Sequence, residues 1–96
     1  GLEEITNLMR VIETLLQDLH AVIKDPNRYL VDRIYGLEEE INQIEFAARN
    51  EFVSRLKARV PMGSMSMALY VDILSDFERI GDYAENIANR IQDMVL

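Results

Sequence analysis

The 96 residues predict an all-α fold, an antiparallel up-down-up bundle of three helices. Three observations carry this expectation. Apolar residues recur at spacings of three and four along most of the chain, the period of a helix with one buried face. Only Asp25-Pro26 and Val60-Pro61-Met62-Gly63-Ser64 interrupt that pattern, each with residues that turn the chain. No segment carries a strand signal. Short connections make successive helices antiparallel neighbours, so three of them run up, down and up.

Helix one is expected over residues 2–24, where Ile5, Leu8, Met9, Ile12, Leu15, Leu16, Leu19, Val22 and Ile23 form the apolar stripe. Asp25 is the expected N-cap of helix two, with Pro26 in the first helical position, where a missing N–H costs nothing. Helix two then runs over 26–59 on Leu30, Ile34, Leu37, Ile41, Ile44, Ala48, Phe52 and Leu56, with Gly36 inside it. Val31, Tyr35 and Val53 broaden its stripe, as a middle helix touching two neighbours requires. Ser64 is the expected cap of helix three, over 64–95, whose stripe is Leu69, Ile73, Phe77, Ile80, Ala84, Ile87, Ile91 and Met94. The three helices make one domain over residues 2–96. Helices two and three should each reach about 45 Å, longer than helix one, and their apolar overhang predicts a homo-oligomer.

Composition narrows the function. A hydrophobic content of 49% with 28% charged residues fits a folded domain. The absence of cysteine excludes disulfides, zinc-thiolate sites and thiol nucleophiles together. A net charge of -7 argues against nucleic acid or an anionic lipid surface as partner and favours cations or basic protein surfaces. No apolar run approaches the roughly 20 residues that cross a bilayer, so direct bilayer insertion by this segment is not expected. Gly1 in place of an initiating Met points to a larger parent chain. Nucleophile-base pairs, phosphate loops and hydrolase metal spacings are missing, so the chain is not read as an enzyme.

The chemistry-bearing stretch is Asp76 to Ala88. Counting 100° per residue, Ile73, Ile80, Ala84, Ile87 and Ile91 share one stripe while Glu78 and Asp82 lie about 160° and 200° from Ile80. These two carboxylates, at i and i+4, repel one another unless a cation lies between them. Gly81, which costs a helix roughly 1 kcal/mol relative to Ala, suggests close approach by a neighbouring backbone. Asp76 is expected to pair with Arg79 or another base, and His20 to be a packed or capping residue rather than a ligand. Met62, Met65 and Met67 suit either an adaptable contact surface or a mobile loop.

The run Glu-Arg-Ile-Gly-Asp at 78–82, followed by Asn86-Ile87, resembles the third-helix motif of PhoU-like phosphate-signalling domains. Glu38 and Asn42, with Glu45 three residues further, resemble that family's helix-two element, although Asn42 stands where the stricter pattern has an acid. The stretch Glu38 to Glu45 with Arg55-Leu56 is similar to the single PhoU-like domain C-terminal to bacterial sodium/phosphate cotransporters. The resemblance implies a PhoU-like three-helix bundle and a regulatory, metal-capable role in phosphate transport or signalling. Glu78, Asp82, Glu38 and Asn42 would be its metal residues, for iron, manganese, zinc or magnesium. It implies a cytoplasmic domain, tethered to the inner membrane through a larger parent chain, with a transporter membrane domain or another phosphate-signalling protein as partner.

The residues themselves leave alternatives open. Glu78 and Asp82 also read as a solvated face of a metal-free helical interaction module. On the helical count Glu38 and Asn42 flank the helix-two stripe while Glu78 and Asp82 point away from that of helix three. A metal site is therefore expected to be incomplete here and closed by a second bundle or a partner.

Overall fold

The computed structural model describes the backbone of residues 2–59 and 63–96 and the side chains of residues 3–59 and 67–96. The architecture is the expected all-α three-helix bundle, with α1 at Leu2–Lys24, α2 at Arg28–Lys57 and α3 at Ser64–Met94, and no strand among the described residues. Each helix packs on the other two, and the bundle is 51 Å long and 17 by 16 Å across.

The first turn corrects the expected start of helix two. Asn27, not Asp25, is the N-cap: its backbone is extended and its side-chain oxygen accepts from the Leu30 N–H at 2.9 Å. Its amide also donates to the Asp25 carbonyl at 2.9 Å, tying the cap to the preceding turn. Pro26 thus lies before the helix rather than inside it. At α3 the cap position falls on Gly63 rather than Ser64, with no side-chain cap bond. The second expected turn falls largely on residues 60–62, outside the described residues, as do Met62 and the side chain of Met65.

The core consists of Leu8, Ile12, Leu15 and Val22 from α1, Val31, Ile34, Ile41 and Ala48 from α2, and Leu74, Ala84 and Ala88 from α3. Three parts of the expected stripes fail to be buried. Met9, Leu16 and Ile23 on α1 are exposed, because each stands one residue past a buried neighbour and the three-helix cross-section covers only one seam of α1. Val53 and Leu56 on α2 and Leu69 on α3 are exposed at the end where those helices outrun α1. Met94 is 82% exposed at the last turn of α3.

The third helix differs most from expectation. Among the described residues its buried ones are Leu74, Gly81, Ala84 and Ala88, while Ile73, Ile80, Ile87 and Ile91 are only partly buried. The core-facing side of α3 is thus rotated by roughly 80° from the isoleucine stripe, on the count of 100° per residue. Gly81 faces α2, but the expected close approach by a neighbouring backbone is not found there: a Cβ at Gly81 would be in ordinary contact with side chains, 3.7 Å from Glu38 Cγ and 3.7 Å from Ile41 Cγ2.

Candidate functional site

That rotation decides where the acids go. From a core side centred near Gly81, the residues Glu78, Asp82 and Glu85 no longer point away from the bundle but border the groove between α3 and α2. On α2 the residues Glu38, Asn42 and Glu45 have the same i, i+4, i+7 spacing and border the groove from the other side. Two rows of polar side chains therefore face each other along antiparallel helices.

The register is read from contacts along the groove. Near one end Phe52 stacks on Tyr70, with ring centroids 5.8 Å apart. Next, Arg49 Nε donates to Glu45 Oε1 at 2.9 Å, and the same guanidinium lies 3.4 Å from Ser75 Oγ and 3.6 Å from Glu78 Oε2. Beyond the Gly81 contact, Glu38, Asp82 and Glu85 gather, one carboxylate oxygen from each lying within 4.8 Å of the others. The Tyr35 hydroxyl then donates to Asn89 Oδ1, and Arg28 reaches Gln92 Oε1 at 3.2 Å.

The two acidic groups differ in electrostatics. Glu45 is buried, and burial pushes its carboxyl above the usual carboxylate range; the Arg49 hydrogen bond opposes that shift and neighbouring Glu78 adds to it. Glu38 is raised too, first by burial, against the hydrogen bond from Asn42 Nδ2 at 2.9 Å and with added repulsion from Glu85 and Asp82. The difference lies in the counter-charge. Arg49 sits on the Glu45/Glu78 pair, whereas no ion pair among the described residues reaches Glu38, Asp82 or Glu85.

Of the four residues singled out from sequence, Glu38 and Asp82 meet within one chain and Asn42 hydrogen-bonds to Glu38. Glu78 does not join them; it belongs with Arg49 and Glu45. The expected site was one left incomplete here and closed by a second bundle or a partner; Glu38 and Asp82 nevertheless come together within one chain, because the helical count took Ile80 as the buried direction. Glu85 was missed, although its place seven residues after Glu78, mirroring Glu45 after Glu38, was available as a signal. Arg49 was missed as well. His20 is exposed on α1, and no ion pair joins Asp76 to Arg79 among the described residues.

A helical bundle that brings three carboxylates from two helices to one surface groove is an oxygen-donor scaffold, suited to hard cations rather than to thiolate-seeking ones. The chain belongs to the PhoU domain family, which matches residues 5–91. An uncharacterised protein of Mycoplasma genitalium is 30% identical over 92 residues, covering 94% of this chain and 41% of its own length. The phosphate-specific transport system accessory protein PhoU homolog of Xylella fastidiosa is 34% identical over 91 residues, covering 90% of this chain and 38% of its own length. The chain spans about two fifths of the length of these curated relatives. No solved structure matches it.

Proposed function

We propose that this chain is a regulatory, non-enzymatic domain of phosphate transport or phosphate signalling whose α2/α3 groove takes a metal ion at Glu38, Asp82 and Glu85, with Asn42 beside them. The observation that carries the metal reading is the convergence of three carboxylates with no basic group among the described residues paired to them. Membership of the PhoU domain family and the PhoU homolog of Xylella fastidiosa support the phosphate context. The helix-two pattern Glu38 to Glu45 with Arg55-Leu56 favours the cytoplasmic portion of a sodium/phosphate cotransporter as its setting, with the transporter's membrane part or another phosphate-signalling protein as partner. No helix among the described residues is long and apolar enough to cross a membrane.

The donor set fits the ion. Carboxylate oxygens suit magnesium, manganese and ferric iron better than zinc, which favours nitrogen and sulfur. Asn42 uses an amide N–H to hold Glu38, which leaves its carbonyl oxygen as a neutral donor. Burial is the main reason the Glu38 carboxyl is raised, and a cation would relieve the repulsion from Glu85 and Asp82 that adds to it.

Thermal unfolding of chelator-stripped protein with added manganese or ferric ion tests the proposal. An ion that binds only the folded state stabilises it by about 2.7 kcal/mol at 100 times Kd. The wild type should gain in Tm, the Asp82→Asn/Glu85→Gln variant should lose that gain while staying folded, and Glu78→Gln should keep it. Equal shifts in all three would remove the groove site. A metal-free interaction module would then be the better reading, favoured by the exposed apolar residues Val53, Leu56 and Leu69. Those residues also support self-association into a homo-oligomer.

A further inference from the structure

The two sides of α3 have opposite chemistry: acidic where it meets α2, apolar where it meets α1. On α1 the residues Met9, Leu16 and Ile23 are each more than half exposed and recur every seven positions, so they form one line along the helix. Counting 100° per residue from buried Leu15, that line lies about 80–120° to one side, whereas Asp18, which pairs with Arg33 of α2 at 2.8 Å, lies about 60° to the other. The line therefore turns away from α2 and borders α3. On α3 the same count from Gly81 puts Glu78 and Asp82 about 60–100° towards α2, and Ile73, Ile80 and Ile87 about 80–120° the opposite way, towards α1. The exposed line of α1 and the half-buried isoleucines of α3 thus share one side of the bundle, with Leu69 and Tyr83 exposed along its α3 edge.

A continuous apolar side marks an interaction surface, and its size and charge say what fits it. The bundle is 51 Å long and 17 Å wide, so one side offers about 870 Å², on the scale of the ~800 Å² that each partner contributes to a standard interface. The charged residues within about 80° of the edges of the apolar stripe, on the same helical count, are Glu13, Asp72 and Asp76 against Lys24, Arg79 and Arg90. Acids and bases balance there, so the net charge of -7 is carried by the rest of the surface, and two copies meeting at this side keep their acidic sides apart. A rim of both signs suits a two-fold interface, in which the same patch meets itself and each acid can find a base of the other copy. A strongly basic partner would find no excess of acid at this rim.

We propose that a second copy of this chain covers the α1/α3 side, the two copies pairing through Met9, Leu16 and Ile23 of α1 and Ile80, Tyr83 and Ile87 of α3. The acidic α2/α3 groove stays open in such a pair. The pairing does not rest on the metal reading, and its side is distinct from the α2 overhang at Val53 and Leu56, which lie off the stripe.

Sedimentation equilibrium tests the pairing, with circular dichroism to verify that each variant keeps its helix content. Wild type should form a dimer. Met9→Glu/Leu16→Glu should weaken it by roughly 100-fold or more, the size of losing two central anchors, while Val53→Glu/Leu56→Glu should weaken it by less than about tenfold. Leu16→Gln/Tyr83→Gln, polar helix formers at one exposed position on each helix, should also weaken the dimer, and it carries the test if the glutamate pair fails to fold. A wild type that stays monomeric at millimolar concentration overturns the proposal and leaves this side to a different protein. A dimer that survives the α1 variants but is lost with Val53→Glu/Leu56→Glu overturns it too, and assigns association to the end of the bundle.

Discussion

Gly36 and Gly81 both lie within helices, yet replacing them tests different things. Nothing lies within 4 Å of a Cβ built at Gly36, so Gly36→Ala should raise stability by about 1 kcal/mol through helix propensity alone. At Gly81 the nearest atoms stand at 3.7 Å, ordinary contact for a methyl group, so a larger side chain must displace Glu38 or Ile41. Gly81→Ala should be neutral or stabilising, and Gly81→Leu should cost about 1–3 kcal/mol by overpacking the α2/α3 contact. Urea unfolding of the three variants checks this, and a stable Gly81→Leu would refute that contact. Protonation is a second matter at this scale. The Glu38 and Glu45 carboxyls are raised in the folded state, the first facing Asp82 and Glu85, the second facing Glu78 and Arg49. The folded state therefore binds these protons more tightly than the unfolded chain. Their destabilising effect is present above the raised values and disappears as pH falls towards the ordinary 4.5. Tm measured with chelator should rise from pH 7 towards pH 5, and Glu38→Gln should shrink that rise.

Among the helices, α2 depends most on a specific boundary. Asn27 supplies its cap, and in the first turn no acidic side chain assists. Asn27→Ala should cost about 1 kcal/mol, measurable as a lower urea midpoint with an unchanged slope. An unchanged midpoint would show that water serves the Leu30 N–H equally well. At its other end α2 stops with Ala58 as cap and Arg59 at φ 55°, a left-handed position that glycine adopts more readily. Between these limits α2 is the middle element in more than order. It reaches α1 through Arg33 to Asp18 at 2.8 Å, and α3 through Arg49, Tyr35 and Arg28. This explains the breadth of its apolar stripe.

The whole bundle leaves apolar side chains uncovered at the end where its helices differ in length. Helices α2 and α3 have 30 and 31 residues against 23 in α1, and Val53, Leu56 and Leu69 are all exposed where α1 does not cover them. Burial of such side chains is worth about 1.5–3 kcal/mol each when complete, which favours association of two copies. Sedimentation velocity should show a concentration-dependent dimer that weakens in Val53→Glu/Leu69→Glu, with helix content unchanged. A monomer at all concentrations would leave this end to a different partner.

Much of this protein was legible in its sequence, because a helix repeats every 3.6 residues and buried faces must be apolar. The number of helices, their order and nearly all their limits follow from that period; Glu78 and Asp82 stood out by their i, i+4 spacing, and Glu38 and Asn42 by resemblance to the PhoU-like family. The face that α3 turns inward was not. Large isoleucines dominate a hydrophobic count, whereas the side of α3 that is buried includes Leu74, Gly81, Ala84 and Ala88, three of them too small to weigh in such a count. Only the tertiary structure could set that rotation, and with it the assembly of Glu38, Asp82 and Glu85, the diversion of Glu78 to Arg49, and the division of one acidic groove into a neutralised half and an open one.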